Sequence, residues 1–312
     1  MTTALDAARA ASSVVAATPS AVPPREPLQT LWEANDPRPV EVRGVTIPPE
    51  LERRYGGGLA IPLRPDRPAV IANFVSTLDG IVALGSGQLA GGGLISGFHE
   101  PDRFVMGLLR AVADVIVIGA GTLRGSDAHR WTPAHVHPAS AASFAAWRES
   151  MGLAPVPTTM IVTAGGEIPM DHPGLADPAI PVIIATTTAG ARRVAASELP
   201  DHVAVRVAAT ESALAAKDVL AFAREAGARL VLTEGGPHLL GSFLDADLLD
   251  ELFLTMSPQL VGRGTAERLG LVEGLAMTPE EGRWQDLVSI RRSGDHVFLR
   301  YRRPRAVTNQ EV

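Results

Sequence analysis

The sequence predicts a three-layer α/β domain with a mixed, mostly parallel β-sheet and an antiparallel hairpin at its C-terminal edge. Short apolar runs such as VIVI (115–118) and VIIA (182–185) alternate with segments of helical character. Strands that are apolar on both faces are typical of a parallel sheet covered by helices on both sides. The last two runs, DLVSIRR and HVFLRYRR, alternate in polarity around Ser293-Gly294-Asp295, which is typical of a hairpin.

Apolar runs of strand length recur along the chain from Pro68 onwards. We predict strands over residues 69–76, 114–120, 158–164, 181–187, 202–208, 229–235 and 251–258 and in the C-terminal hairpin, with helices between many of them. No period of 20 to 50 residues recurs, which disfavours a solenoid or a propeller. One domain over residues 68–312 is therefore expected.

The first 67 residues are rich in Ala and Pro and show no sustained hydrophobic period. We interpret residues 1–67 as a partly disordered tail followed by an arm that lies on the domain. Such a composition contributes few periodic apolar positions, so removing the residues before about Pro65 is expected to leave the fold largely intact.

Composition excludes several classes of function. The net charge of −6 and the pI of about 5.8 give no global positive field for nucleic acid. The start of the chain lacks a basic n-region and no later segment has the apolar length of a membrane span, so we expect a cytoplasmic protein. The chain has no cysteine and no H-E-x-x-H motif, which argues against a metal site.

Two glycine turns follow predicted strands. Gly119-Ala120-Gly121-Thr122 ends one, and Glu234-Gly235-Gly236-Pro237 lies between another strand and a helix-like segment. Glycines let backbone N–H groups approach a phosphate, and a helix N-terminus favours a bound pyrophosphate. A Rossmann fingerprint fits poorly, because the residues after the first turn, LRGSDAHRWTP, are broken by Gly and Pro. The two turns predict one crevice that holds a dinucleotide.

Polar residues near these turns allow two interpretations each. Ser76-Thr77-Leu78-Asp79-Gly80 is either an ordinary Asp-Gly turn or part of a site. Arg103 and Arg110 fall on one face of a helix that begins near Pro101. They form either a solvated face with salt bridges or a guanidinium pair for a substrate phosphate. The hydrolase and P-loop motifs G-x-S-x-G and G-x-x-x-x-G-K-[ST] are absent, which leaves reduction by a dinucleotide.

Four segments in a fixed order carry a family resemblance. VSTLDG, ISG, LLRAVADVIVIGAGTLR and LTEGGPHLLGSFLDADLLDELFLTMSPQLVGR together resemble the reductase domain of the bifunctional riboflavin deaminase-reductase and its stand-alone relatives. The resemblance covers residues 69–302. It implies a dihydrofolate-reductase-like fold, NADPH as cofactor, a homodimer, and activity like that of a 5-amino-6-(5-phosphoribosylamino)uracil reductase on a ribosylaminopyrimidine-like or pterin-like molecule. With no cysteines, the chain lacks the zinc deaminase half.

The resemblance also assigns roles to individual residues. It implies that Gly119, Gly121 and Thr122 lie near the nicotinamide and that Gly235, Gly236 and Pro237 cradle the pyrophosphate. The residues that it implies at the substrate pocket are Asp79, Ser96, Arg110 and Glu234. No basic residue follows the strand TTMIVTA directly. The 2′-phosphate of NADPH would therefore be bound by Thr186, Thr187, Thr188, Arg192 or Arg193. NADH stays open as an alternative cofactor.

One segment departs from the family pattern. Where the riboflavin enzymes usually have GTVLADDPxLTVR, this chain has GTLRGSDAHRWTP, and Asp127 aligns with the second acid. Asp127 and Arg130 could reproduce the acid–base pair that touches the substrate, or His129, Arg130 and Trp131 could form a different pocket. The proton for reduction would come from Asp127, Asp79 or an ordered water. The alternatives are a dihydrofolate-type reductase and a dinucleotide-binding protein without turnover.

Overall fold

The computed structural model describes residues 26–35, 41–43, 46–126 and 128–304. Its strands, in chain order, are β1 (Gln29–Glu33), β2 (Val42–Arg43), β3 (Ile61–Pro62), β4 (Ala69–Ser76), β5 (Ile81–Ala83), β6 (Val115–Gly119), β7 (Thr158–Thr163), β8 (Val182–Thr186), β9 (Val203–Val207), β10 (Leu230–Thr233), β11 (Glu251–Met256), β12 (Leu269–Gly270), β13 (Asp286–Ser293) and β14 (His296–Arg302). Its α-helices are α1 (Pro49–Tyr55), α2 (Gly92–Ser96), α3 (Glu100–Val112), α4 (Ala120–Arg124), α5 (Pro133–Val136), α6 (Ala141–Ser150), α7 (Pro173–Ala176), α8 (Thr188–Val194), α9 (Ala216–Glu225) and α10 (Pro237–Asp245).

A ten-stranded sheet forms the middle layer, in the order β1-β13-β14-β11-β4-β10-β6-β7-β8-β9. The strands from β11 to β9 run parallel to one another. The hairpin β13–β14 pairs antiparallel with β11, and β1 pairs antiparallel with β13. The predicted mixed, mostly parallel sheet with an antiparallel C-terminal hairpin is therefore confirmed.

The two faces of the sheet bury separate apolar cores. Along β6, Ile116 and Ile118 belong to the core that contains Trp147, whereas Val115 and Val117 belong to the core that contains Phe243. Successive side chains of a strand point to opposite faces, so a strand buried on both faces has to be apolar at every position. This is the physical reason for the uninterrupted run VIVI.

The arm before Pro68 belongs to the folded domain in its described part. Leu28, Leu51 and Ile61 are at most 3% exposed and lie in the same core as the central strands, and β1 is an edge strand of the main sheet. The expectation that this arm supplies few core positions is wrong for its described residues. We therefore expect removal of the residues before about Pro65 to destabilise the fold. Its elements are two to seven residues long, too short for a hydrophobic period to show.

The helices of the described residues include none long and apolar enough to cross a bilayer. The longest of them, α3, has 13 residues, whereas a span needs about 20 apolar ones.

The contribution of the arm to stability can be measured at α1. Leu51→Ala removes a side chain that is 1% exposed and should lower the free energy of unfolding by about 3 kcal/mol, since it leaves a cavity in the core. Arg53→Ala, an exposed position on the same helix, is the control and should change it by less than about 0.5 kcal/mol. Equal effects of the two substitutions in denaturant unfolding would contradict a core role for the arm.

Candidate active site at the carboxyl edge of the sheet

A cavity of about 1200 Å³ lies where the parallel strands end. It runs along the carboxyl ends of β4, β10, β6 and β7, and its walls include both glycine turns, 119–122 and 234–237. The structure thus brings the two turns to one crevice, as the sequence predicted. The ends of adjacent parallel strands meet at the same edge of a sheet, which is why turns more than 100 residues apart come together.

The glycines of the two turns differ in what surrounds them. A Cβ added to Gly119, Gly121 or Gly236 would have no atom within 4 Å, so the backbone at these positions is open on the side where a side chain would stand. A Cβ on Gly235 would lie 2.4 Å from Leu239 Cδ2. Gly235 therefore makes room for the first turn of α10 rather than for a ligand.

Helix α10 begins at this cavity without a side-chain cap. Its N-cap is Gly236 and Pro237 occupies the first turn, the arrangement that the sequence predicts for a helix start. The N–H groups of a first helical turn lack intrahelical partners. An uncapped helix N-terminus in a cavity wall fits an anionic group.

A buried ion pair joins α3 to the end of β10. Arg110 is 1% exposed and donates to the Glu234 carboxylate through Nε, at 3.0 and 3.1 Å, and through Nη2, at 2.6 Å. Both residues line the cavity. Because Glu234 takes these donors, Arg110 is not available for a substrate phosphate, and the predicted guanidinium pair with Arg103 does not form.

Arg103 keeps a free charge in the same cavity. Its Nε donates to the carbonyl oxygen of Val136 at 3.0 Å, the residue is exposed, and it lines the cavity. Within the described part of the chain, no carboxylate lies within 4.0 Å of its guanidinium nitrogens. Arg103 is thus the arginine of the predicted pair that an anionic ligand can reach.

The segment that departs from the family pattern contributes aromatic rings to the cavity. His129 lies with Nε2 2.9 Å from Arg110 Nη2, and since a guanidinium only donates, His129 accepts and is neutral. Burial and then the Arg110 charge lower the pKa of His129 to about 2. The rings of Trp131 and His135 lie 5.1 and 4.8 Å from it, and all three residues line the cavity.

The acid and base predicted for this segment do not both appear in the cavity. Arg130 is not among the lining residues and pairs with Asp177 at 3.2 Å. Asp127 lies outside the described residues, so its role stays a prediction. Of the three residues in the alternative, His129, Arg130 and Trp131, the first and last line the cavity and Arg130 does not. The geometry therefore favours a different pocket that lacks Arg130.

Two further predicted residues, Asp79 and Thr187, make hydrogen bonds within the segments around the site. The Asp79 carboxylate accepts from Thr77 Oγ1 and from the N–H of Gly262, both at 2.6 Å, and these hydrogen bonds, led by that from Thr77, lower the pKa of Asp79. Thr187 is fully buried, caps α8 through Gly190 N at 3.1 Å and donates to the carbonyl oxygen of Ala164 at 2.8 Å. Neither residue lines the cavity.

At the far end of the cavity, two arginines bind Glu167, one through its carboxylate and one through its backbone carbonyl oxygen. Glu167 lines the cavity and accepts from Arg193 Nη1 at 2.7 Å, and its carbonyl oxygen accepts from Arg124 Nη1 at 2.9 Å. Arg192 pairs instead with Glu211 at 2.7 Å. Of the two arginines proposed for a 2′-phosphate, Arg193 is the one beside the cavity.

Sequence reasoning missed Asp102. This residue lies in the first turn of α3, is 6% exposed and lines the cavity beside Ser96. Burial above all, and the charge of Glu234, raise its pKa to about 6, against the effect of the Thr255 and Ser96 hydroxyl groups, which lowers it. The only signal in the sequence is an acid after Pro101, which a helix start explains equally well.

The fold and this crevice define an oxidoreductase of the class that uses a nicotinamide dinucleotide and a small-molecule substrate. The model of the RibD C-terminal domain matches residues 68–297, and the chain belongs to that family. The family and the reductase class predicted from the four segments are therefore confirmed.

Three relatives illustrate this kinship. The 2,5-diamino-6-ribosylamino-4(3H)-pyrimidinone 5′-phosphate reductase of Archaeoglobus fulgidus is 26% identical over 196 residues, which are 63% of this chain and 83% of that protein. A pyrimidine reductase-like protein from Corynebacterium diphtheriae has a TM-score of 0.62 at 20% identity, over 77% of this chain and 93% of its own. Acinetobacter baumannii RibD has a TM-score of 0.59 at 17% identity, over 77% of this chain and 59% of its own. The two structures show the shared fold.

Asp102 makes stability depend on pH. The folded-state pKa of about 6 lies above the ordinary value of 3.8, so between these values the folded protein binds more protons than the unfolded chain, and stability falls as pH rises. Asp102→Asn removes this pH dependence. The free energy of unfolding of the variant minus that of wild type should therefore be greater above pH 6 than at pH 4, by on the order of 3 kcal/mol.

Denaturant unfolding at pH 4, 5.5 and 7.5 measures this difference. The exposed Asp286 provides the control, since Asp286→Asn removes the same charge from the surface. A stability difference between wild type and Asp102→Asn that stays constant across this range would contradict the raised pKa.

Proposed function

We propose that this protein is an NADPH-dependent reductase of a ribosylaminopyrimidine 5′-phosphate, transferring a hydride to a C=N or C=O carbon of that substrate. The observation that carries the proposal is the single crevice in which two open glycine turns face an arginine, Arg103, and a buried carboxyl group, Asp102. The name of the Archaeoglobus relative supports the substrate class.

The two turns fit a dinucleotide. At Gly236 the backbone is open and the uncapped start of α10 offers N–H groups to a pyrophosphate. Gly119, Gly121 and Thr122 line the neighbouring wall at the end of β6, where a flat ring can approach the main chain without meeting a Cβ. When bound, the reduced nicotinamide supplies the hydride for the reaction.

Arg193 supports the choice of NADPH over NADH. Its guanidinium lies beside Gly165 and Glu167 at the end of the cavity away from Asp102. Both Arg193 and Glu167 are more than half exposed, so their ion pair is weak and a 2′-phosphate would compete with the carboxylate for the guanidinium.

The other groups of the cavity orient the substrate and provide the proton. Arg103 binds the 5′-phosphate, and Glu234, fixed by Arg110, forms the wall between substrate and cofactor. Asp127 or an ordered water donates the proton. Asp79 is not retained as a donor, because its carboxylate is held by Thr77 and Gly262 away from the cavity walls.

We also propose that two copies of the chain associate and that the protein acts in the cytoplasm, as the family resemblance implies. Large apolar side chains that such a contact would cover are Trp284, 87% exposed, and Leu260, 72% exposed.

Turnover tests the proposal directly. With 2,5-diamino-6-ribosylamino-4(3H)-pyrimidinone 5′-phosphate present, the protein should oxidise NADPH, and the loss of nicotinamide absorbance measures this reaction. Without substrate, NADPH at 100 times its Kd should raise the free energy of unfolding by about 2.7 kcal/mol. Cofactor binding without turnover of this compound, of the corresponding uracil or of dihydrofolate would identify a dinucleotide-binding protein that does not catalyse reduction. An unchanged melting temperature with NADPH and NADH at millimolar concentration would refute the reductase.

Gly236 tests the pyrophosphate cradle. Gly236→Val places a branched side chain where the structure has no atom within 4 Å, at a backbone conformation (φ −64°, ψ 172°) that any residue adopts. It should raise the Kd for NADPH at least about tenfold, the equivalent of 1.4 kcal/mol, while the melting temperature without cofactor stays near wild type.

The matched control is Gly58→Val, at an exposed glycine that also has no atom within 4 Å of an added Cβ and does not line the cavity. Fluorescence titration of NADPH should give the wild-type Kd for this variant. A wild-type Kd for Gly236→Val as well would place the pyrophosphate elsewhere.

A further inference from the structure

Asp102 is a buried carboxyl group that has no cation beside it. Within the described residues, no Arg, Lys or His nitrogen lies within 4.0 Å of its oxygens, whereas Glu234 and Glu167 in the same cavity pair with Arg110 and Arg193. Burial of an unpaired carboxylate is costly. A perturbed carboxyl group in the wall of a cleft is typical of a functional site.

The polar groups near Asp102 leave it acceptor capacity toward the cavity. A carboxylate offers about four acceptor positions. The protein groups that favour its charged form are the hydroxyls of Thr255 and Ser96, and Ser96 Oγ donates at 3.3 Å to the carbonyl oxygen of Gly93. A ligand that presents N–H groups satisfies the remaining positions. A ligand that presents only acceptor atoms cannot donate a hydrogen bond to those positions of the carboxylate.

The position of Asp102 in the sheet separates it from the cofactor end of the cavity. Thr255 lies on β11 opposite Val75 of β4, and the cavity continues from there over β10 and β6 to β7, where the glycine turns and Gly165 lie. Met106, one helical turn beyond Asp102 on α3, and Val75 line the cavity with apolar atoms. Asp102 thus lies at an end of the cavity that Val75 and Met106 line with apolar atoms.

We propose that Asp102 binds the amino-substituted edge of a 2-amino-4-oxopyrimidine ring and selects this ring over uracil. The inference rests on the proposed function. In the aminopyrimidinone, the ring N3–H and the 2-amino group are adjacent donors that match the two oxygens of one carboxylate. This edge lies across the ring from C6, which carries the sugar, so Asp102 holds the ring while the sugar carbon reaches the cofactor.

Uracil keeps the N3–H but presents an acceptor instead of a donor at C2. Its C2 carbonyl oxygen replaces the amino group and would meet the Asp102 carboxylate with no proton between two acceptors. Sites whose buried polar groups lose their partner reject the analogue strongly. Asp102 is therefore a specificity-determining residue for the proposed reaction.

Two substrates that differ at C2 test this assignment. They are 2,5-diamino-6-ribosylamino-4(3H)-pyrimidinone 5′-phosphate and 5-amino-6-(5-phosphoribosylamino)uracil. Wild type should favour the diamino compound in kcat/KM by on the order of 100-fold. In Asp102→Asn, the side-chain amide has one acceptor and one donor, so this ratio should fall by at least about 30-fold. The control Asp286→Asn should leave the ratio unchanged. The Kd for NADPH should be the same in all three proteins.

A binding measurement separates this inference from the proposed function. Calorimetry with the two ribitylamino products, in the presence of NADP+, reports the preference without turnover. If wild type binds the diamino product more tightly and Asp102→Asn loses that preference, the role of Asp102 stands even where neither compound is reduced, and only the proposed function fails. Equal binding of both products by wild type, or an equal loss for both in Asp102→Asn, overturns the assignment.

Discussion

The ion pair between Arg110 and Glu234 fixes the geometry on which the site depends. Besides the carboxylate, the Arg110 guanidinium reaches His129 Nε2 at 2.9 Å and the carbonyl oxygens of Arg130 and Thr132 at 3.3 and 3.4 Å. One side chain thus ties α3 to the glycine turn after β10 and to the segment that departs from the family pattern. Desolvation makes a buried pair costly, and these additional hydrogen bonds offset that cost.

The same pair explains how charge is distributed in the cavity. Glu234 neutralises Arg110, and burial together with the Arg110 charge keeps His129 neutral. This wall therefore offers a ligand aromatic surface and carries little net charge. Arg103 and Asp102 are adjacent in sequence but keep separate roles, because one is exposed and the other is 6% exposed. A ligand with an anionic group at one point and N–H donors at another complements this arrangement.

Buried polar contacts also make the arm part of the domain. Asp250, 5% exposed, binds Arg64 and Arg67 from the arm and accepts from the N–H of Val70 at the start of β4. The arm therefore anchors the central strand that leads to the cavity. Arg148 lies on α6 next to Trp147, which shares the apolar core of the arm, and it donates to carbonyl oxygens at the end of α3.

The sequence by itself determined the parallel sheet, the C-terminal hairpin, the two glycine turns and the family, because each is encoded in one or a few continuous runs of residues. Only the tertiary structure decided which charges remain available. Arg110 and Glu234 are 124 positions apart, and Thr255, which affects the pKa of Asp102, is still further from that residue in the sequence. No local pattern therefore shows that Arg110 is paired with a carboxylate and that Asp102 has no cation beside it. Burial and pairing are properties of the packed chain, and they convert residues of ordinary character into a site.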